Sequence, residues 1–188
     1  MHDANASTTV YYGIPYAHAA RFKPAVPIGS ESRLCSVDIV DASAHGPACI
    51  QFNLPPPYDK GFALLTGTTP VQPQAEDCLT MDVYVPDGGY QDLPVLFYTP
   101  GGGFLVGASF TYDFRSLINL SIGMGKPFIA VVINYRLGPL GTLNPSIWGE
   151  DVNLSILDQV EALRYVQEHI HAFGGDPRKV TIGERMAV

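Results

Sequence analysis

The amino-acid sequence predicts an α/β fold in which helices pack on a mostly parallel sheet. The stretch FIAVVINYR at 128–136 is rich in β-branched residues and apolar on both faces, which is typical of a central parallel strand. A long helix is predicted over about 152–173, and a glycine turn and the short strand KVTI at 179–182 follow it. The order strand, helix, turn, strand is typical of parallel strands joined by helical crossovers.

Three further strands are predicted in the first half of the chain. Each is apolar or alternating and is bounded by turn-forming residues: VYYGIPYA (10–17), MDVYVP (81–86) and LPVLFYTP (93–100). The first of them is expected to break at Gly13 and Pro15, since these residues interrupt a regular strand. The stretch from His18 to about Ala75 is rich in Pro, Gly and Ser and is predicted to be mostly loop.

The predicted helix has apolar residues at spacings of three and four, which is typical of a helix with one buried face. These residues are Ile156, Val160, Leu163, Val166, Ile170 and Phe173. Asp151 is the predicted N-cap, because its side chain can accept a hydrogen bond from the first turn. Gly174 is the predicted C-terminal stop, because glycine adopts the left-handed conformation that ends many helices.

The composition is that of a globular, core-forming chain. Its 188 residues are 46% hydrophobic and 15% charged, which suggests one domain or part of a larger one. The formal net charge of −7 argues against a nucleic-acid partner, because phosphate binding needs basic patches. No apolar run reaches the length of a membrane span, and the N-terminal residues lack the regions of a signal peptide, so neither a span nor a compartment is assigned.

Several stretches of the sequence together resemble one family. In chain order they are GIPYA with RFKPAVP, GPACIQ with EDCLTMDVYVP, PVLFYTPGGGFLVGAS, VVINYRLGPLGTL, and NLSILDQVEALRYVQEHIHAFGGDPRKVTI. They resemble the type-B carboxylesterase/lipase family, which includes the cholinesterases and fungal lipases. The resemblance covers nearly the whole chain. It implies the α/β-hydrolase fold and a carboxylic-ester hydrolase of the serine type, whose members are often secreted.

The same resemblance implies a partial domain. Members of the family are much longer than this chain, which corresponds to roughly their first third. We therefore expect residues 1–188 to form a partial type-B carboxylesterase domain that ends at the nucleophile elbow. If completed, such a domain would take a small-molecule ester and would need no cofactor.

The resemblance also assigns an oxyanion loop to the sequence PGGGF. Ester hydrolysis needs donors for the negative charge that develops on the carbonyl oxygen. The resemblance implies that the backbone N–H groups of Gly102 and Gly103 are two such donors. The alternative is a flexible glycine turn after a strand. This chain has Pro100 where the family usually has histidine before the glycines.

The nucleophile of the family is absent from the chain. The family signature G-E-S-A-G, a form of the G-x-S-x-G elbow, is matched by Gly183 and Glu184, but Arg185 stands in the place of serine. Arginine cannot act as a nucleophile, because its guanidinium stays protonated. The acidic residue and the histidine of the triad follow the serine in this fold, and none of the five histidines has a catalytic context. The chain as written is therefore predicted to be inactive.

Two interpretations of the elbow remain open. The resemblance stops abruptly after Glu184, which favours a truncated reading frame of an ester hydrolase. The alternative is a non-catalytic, esterase-derived remnant or a module that binds a small molecule or a protein. No metal site is predicted, since the three cysteines lack a zinc-binding spacing.

The resemblance further implies one disulfide and two ion pairs. The disulfide would join Cys49 to Cys78, and two reduced thiols are the alternative. The ion pairs, Arg21 with Glu76 and Arg136 with Asp158, would tie loops to the sheet. The alternative is that these pairs are exposed and contribute little to stability.

Overall fold

The computed structural model describes residues 8–29, 40–52, 73–143 and 153–185. The described strands, in chain order, are β1 (Thr8–Pro15), β2 (Ala17–His18), β3 (Val26–Pro27), β4 (Ala48–Cys49), β5 (Gln74–Ala75), β6 (Thr80–Pro86), β7 (Leu93–Thr99), β8 (Ile129–Ile133) and β9 (Gly175–Glu184). The described helices are α1 (Arg115–Gly123), α2 (Gly138–Thr142) and α3 (Leu154–His169), with 3-10 turns at Ser109–Thr111 and Ile170–Phe173. None of these helices has both the length and the apolar character needed to cross a membrane.

The five long strands form one mixed sheet in the order β1-β6-β8-β7-β9. Strands β8, β7 and β9 run parallel to one another, whereas β1 and β6 are antiparallel to their neighbours. The crossover from β8 to β9 passes through α3, as the strand–helix–strand pattern predicts. The predicted α/β class is therefore confirmed, and the parallel part of the sheet is its C-terminal half.

Strand β8 separates two hydrophobic clusters. All five of its residues are buried. Ile129, Val131 and Ile133 belong to the larger cluster, which also contains residues of α3. Ala130 and Val132 point to the opposite face, where Ile118 of α1 covers them. The prediction of a central strand that is apolar on both faces is confirmed.

The buried face of α3 differs from the predicted one. Ile156 and Val160 are 45% and 37% exposed. In the same turns of the helix, the buried positions are held by Asp158 and Glu161. The prediction of one apolar buried face is wrong for the first half of the helix, because a buried carboxylate that binds an arginine leaves no pattern in a hydropathy count.

The ends of this helical segment agree in part with the sequence. Gly174 has φ +85° and its N–H donates to the carbonyl of His171 at 3.0 Å, so the predicted C-terminal stop is confirmed. The last turn, from Ile170, is a 3-10 helix. The α-helix begins at Leu154 after Asn153, whose φ is +58°. The predicted N-cap Asp151 lies outside the described residues.

Strand β1 breaks where the sequence predicts. Its register with β6 shifts between Tyr11 and Ile14, and Gly13 in this bulge has φ +61°. The Gly13 N–H donates to Asp82 Oδ1 at 2.8 Å. A side chain at Gly13 would be strained and would also approach the backbone of Ala44. The bulge therefore requires glycine.

Candidate active site

The carboxyl ends of the three parallel strands meet at one edge of the sheet. Ligands bind at this edge in open α/β sheets, because the connecting loops converge there. The glycine segment 101–103 follows β7, the segment 134–137 follows β8, and Arg185 follows β9. Tyr98 pairs with Gly183 and Thr99 with Glu184, so the glycine loop and the end of β9 are neighbours.

The glycine loop is a closed turn that only glycine can form. Gly102 and Gly103 have φ +143° and +62°. The carbonyl of Gly102 accepts hydrogen bonds from the N–H groups of Leu105 at 3.1 Å and Val106 at 3.3 Å. A side chain on Gly102 would overlap the backbone of Val106. The loop is thus closed by two backbone hydrogen bonds to the Gly102 carbonyl.

Two amides of this loop have no acceptor in the described part of the chain. Neither the Gly102 nor the Gly103 N–H donates to another described residue. Gly102 is buried and Gly103 is exposed. Unpaired buried amides are uncommon, because a lost hydrogen bond costs free energy. The loop therefore offers adjacent donors to an acceptor from outside it.

Gly101 brings the loop into contact with the end of β9. A Cβ atom on Gly101 would overlap the carbonyl oxygen of Arg185. The contact is made by the backbone of Arg185, and the residue itself is exposed. Burial, the largest effect, raises the pKa of Tyr98 to about 12 against the smaller, opposing effect of the Arg185 charge. Arg185 therefore lies beside the glycine loop and brings a cation to it.

Tyr135, which follows β8, contacts the residue before the glycine loop. Its hydroxyl donates to the carbonyl of Pro100 at 2.9 Å. Burial, the largest effect, and the nearby Glu184 carboxylate together raise the pKa of Tyr135 to about 12. The phenol therefore stays protonated at neutral pH and keeps its donor. The Tyr135 ring also packs edge-on against Phe104, with the ring centroids 6.0 Å apart.

The structure brings both predicted ion pairs together, in different environments. Arg136 Nε and Nη2 donate to Asp158 at 2.7 and 2.6 Å, and the two side chains are only 6% and 0% exposed. Arg136 Nη1 also donates to the carbonyl of Lys23 at 2.7 Å. Arg21 Nε donates to Glu76 Oε2 at 2.9 Å, but these side chains are 62% and 38% exposed. The Arg21 hydrogen bond holds the pKa of Glu76 below its ordinary value.

The disulfide between Cys49 and Cys78 is present, and both residues are buried. It joins β4 to the residue two positions before β6. Residues 53–72 of the intervening loop lie outside the described residues. Cys35 lies outside them too. No group of three or more His, Cys, Asp or Glu that could hold a metal occurs among the residues that are described.

Three polar side chains near the site make hydrogen bonds that sequence analysis did not predict. Gln51 contacts both the backbone N–H and the carbonyl of Gly107. Asn134 accepts from the Ser109 N–H at 2.8 Å and donates to the Pro47 carbonyl at 3.2 Å. His45 Nδ1 lies 2.8 Å from Oδ2 of the buried Asp82. Each is a single polar residue in a loop or at a strand end, so no periodicity or motif marks it.

The sheet order, the helices on both faces and the glycine loop after β7 together define an α/β-hydrolase fold. The sequence profile of the carboxylesterase family matches residues 1–186, and the chain belongs to that family.

Several relatives share this part of the fold. The chain is 40% identical over 179 residues to the para-nitrobenzyl esterase of Bacillus subtilis (strain 168), covering 90% of this chain and 33% of the relative. It is 36% identical over 195 residues to secreted lipase 1 of Botryotinia fuckeliana (strain B05.10), covering 95% and 33%. The chain therefore spans about a third of the length of these relatives.

Solved structures agree with this assignment. A thermophilic PNB esterase superposes with a TM-score of 0.75 and 35% identity, covering 96% of this chain and 35% of the other. EstA of Aspergillus niger superposes with a TM-score of 0.75 and 27% identity, covering 96% and 32%.

Proposed function

We propose that this chain supplies the oxyanion loop of a carboxylic-ester hydrolase that acts on small-molecule esters through a serine nucleophile. The observation that carries the proposal is the pair of amides at Gly102 and Gly103, which have no acceptor among the described residues. They lie at the edge of the sheet where the parallel strands end, beside the end of β9. A carbonyl oxygen placed there would accept both hydrogen bonds.

The proposed mechanism uses the backbone of the loop. As a nucleophile attacks an ester carbonyl, negative charge develops on its oxygen, and donors that already point at that oxygen lower the barrier. The loop is held by its internal hydrogen bonds to Gly102, so its amides need little rearrangement when the charge develops. In other hydrolases the loss of one such donor costs roughly 10²–10³ in rate. The mechanism needs a serine, a histidine and an acidic residue, and it needs no cofactor.

We propose that the chain as written does not complete this reaction. Arg185 follows β9 at the position of the nucleophile, and its guanidinium cannot attack a carbonyl. Activity would then belong to a longer form with serine at this position and with the remaining triad residues. In this proposal residues 1–188 are a partial type-B domain with Arg185 at the elbow.

A second candidate function is a non-catalytic binding protein. The observation that favours it is the Arg185 cation beside the loop, near enough to Tyr98 to lower its pKa. Two amides and a guanidinium suit a carboxylate, which is the product of ester hydrolysis rather than its substrate. Binding of butyrate to the 188-residue chain, lost in an Arg185→Ser variant, would support this function.

A chimera tests the hydrolase proposal. It would join residues 1–184 to Ser-Ala-Gly and to the remaining two-thirds of the B. subtilis esterase. We expect measurable kcat/KM for a soluble nitrophenyl ester. The control is the same chimera with alanine in place of the new serine. The 188-residue chain with Arg185→Ser alone should stay at the level of the buffer. A folded chimera without activity would refute the proposal.

A further inference from the structure

We infer that Gln51 is a positioning residue for the glycine loop: it holds the Gly107 peptide and thereby sets the direction of the Gly102 and Gly103 amides. This inference rests on the proposed function, since the loop matters for catalysis only if those amides bind an oxyanion. Gln51 belongs to the motif GPACIQ, to which the sequence assigns no chemistry. It is 56 residues away from Gly107 in the chain.

Two hydrogen bonds join the Gln51 side chain to the backbone of Gly107. The Gly107 N–H donates to Gln51 Oε1 at 2.9 Å, and Gln51 Nε2 donates to the Gly107 carbonyl at 3.2 Å. Because one contact needs an acceptor and the other a donor, only one orientation of the side-chain amide satisfies both. The second N–H of Nε2 is used as well, in a bond to the carbonyl of Cys49 at 3.2 Å. The Gln51 side chain therefore acts as a clamp that cannot rotate without losing hydrogen bonds.

Gln51 is itself held in place by its surroundings. Its backbone N–H donates to Gln74 Oε1 at 3.0 Å. It lies two residues after Cys49, whose disulfide to Cys78 fixes it just before β6. The clamp is thus anchored to the sheet rather than to a free loop.

The position of Gly107 determines that of the oxyanion donors. Gly107 is buried with φ +127°, and a Cβ atom on it would lie 2.6 Å from the Gly101 carbonyl oxygen. The backbone on the two sides of the loop is therefore in direct contact. The Gly102 carbonyl holds the intervening residues Leu105 and Val106. A shift of the Gly107 peptide would press on Gly101 and turn the next two amides.

An isosteric substitution separates positioning from simple packing. In Gln51→Glu the side chain keeps its size, but an ionised carboxylate has no donor and would face the carbonyls of Gly107 and Cys49. When protonated, it regains one O–H donor and can restore one of those bonds. In Gln51→Leu neither hydrogen bond can form at any pH. If Gln51 merely fills space, the Glu variant should behave like the parent at every pH.

The charged neighbours of position 51 keep their state over the range used. Arg21 and Glu76 line the same cavity as Gln51, together with apolar residues. Glu76 has a pKa below its ordinary value because of the hydrogen bond from Arg21. Both groups therefore remain ionised between pH 5 and pH 8. A pH dependence found in Gln51→Glu and absent from the parent then belongs to the new carboxyl group.

Amide hydrogen exchange of the 188-residue chain, read by mass spectrometry at low micromolar concentration, tests the inference. The measured quantity is the protection factor of a peptide covering 101–108, corrected for the intrinsic exchange rate at each pH. A peptide covering 129–133 reports β8 in the same digest. We expect Gln51→Glu to lower protection of the loop about tenfold at pH 8 and to recover part of it at pH 5. We expect Gln51→Leu to lower it equally at both pH values, with β8 unchanged in all variants.

A matched control uses Gln167, whose Nε2 donates to the Pro177 carbonyl at 2.7 Å at an exposed site away from the loop. Gln167→Glu makes the same charge change and should leave the loop peptide as in the parent. Unchanged loop protection in Gln51→Glu would overturn the inference. An equal loss of protection in β8 would also overturn it, because Gln51 would then be a general structural residue.

The active chimera distinguishes failure of this inference from failure of the proposed function. In that protein Gln51→Glu should lower kcat about tenfold at pH 8 and leave KM within twofold, since misdirected amides weaken transition-state binding. An active chimera with an unaltered kcat in the variant would refute only the role of Gln51. An inactive parent chimera would refute the proposed function, whatever the exchange data show for the loop.

Discussion

Removal of the Asp158 carboxylate should destabilise the fold far more than removal of its exposed counterpart. Asp158 is fully buried and accepts from Nε, Nη2 and the backbone N–H of Arg136. In Asp158→Ala the guanidinium would stay buried with only carbonyl acceptors left. Breaking one partner of a buried pair costs about 3–5 kcal/mol, because the remaining charge has lost its compensation.

Urea unfolding followed by circular dichroism measures this effect. With a slope of roughly 2 kcal/mol per molar urea, the loss corresponds to a midpoint lowered by about 2 M. Glu76→Ala is the matched control, because it breaks the exposed pair with Arg21 and should shift the midpoint only slightly. The double change Arg136→Met with Asp158→Leu should recover much of the loss, since it removes both charges and keeps the volume filled.

The urea midpoints of the two single variants test whether burial determines the cost of breaking an ion pair. Equal midpoints for Asp158→Ala and Glu76→Ala would refute the reasoning from burial. A double variant as unstable as Asp158→Ala would show that the cost lies in the lost hydrogen bonds to the Arg136 backbone rather than in the uncompensated charge.

Three further predictions concern the active-site loop, the sheet edge and the response to acid. Pro100→His in the active chimera should raise kcat/KM several-fold, because the residue before the glycine loop would then match the family. An unchanged or lower kcat/KM would show that Pro100 does not limit activity. Ile182, on the edge strand β9, is 62% exposed. Ile182→Lys should lower self-association measured by sedimentation velocity, because a charge on an exposed edge opposes pairing with another chain. Lys179→Arg, on the same strand, is the control and should leave self-association unchanged. Hydrogen bonds from Arg178 hold the pKa of Asp176 well below its ordinary value. The stability that the Asp176 carboxylate contributes is therefore present above about pH 4 and is lost as the pH falls further. In Asp176→Asn the unfolding midpoint should fall less steeply with acidification, and a parallel decline in both proteins would contradict this.

The strands were predictable because their signals are local. The apolar stretch of β8 and the break of β1 at Gly13 both follow from side-chain type and backbone conformation. Helix α1 was not predicted. Its first turn has no acidic residue and no side-chain cap at Phe114, and it is held by the cluster that Ile118 enters. Such a helix depends on tertiary packing, which a single sequence does not display.

The candidate site was predictable only as far as its motifs extend. The glycine segment after β7 stands out in the sequence, but only the folded loop shows that the Gly102 and Gly103 amides lack acceptors among the described residues. The two ion pairs look equivalent in the sequence, yet one is buried and the other exposed. Gln51 could not be found, because a two-point contact with a distant peptide leaves no mark on spacing or composition.

The contact between Gly101 and Arg185 has a bearing on how such a chain can evolve. The loop touches the carbonyl oxygen of Arg185, which every amino acid possesses, and Arg185 is an exposed residue. This contact therefore does not distinguish serine from arginine at position 185, and in our proposal only the reaction would select between them. A lineage that no longer needs the reaction could therefore change this residue and keep the contact between the glycine loop and the end of β9.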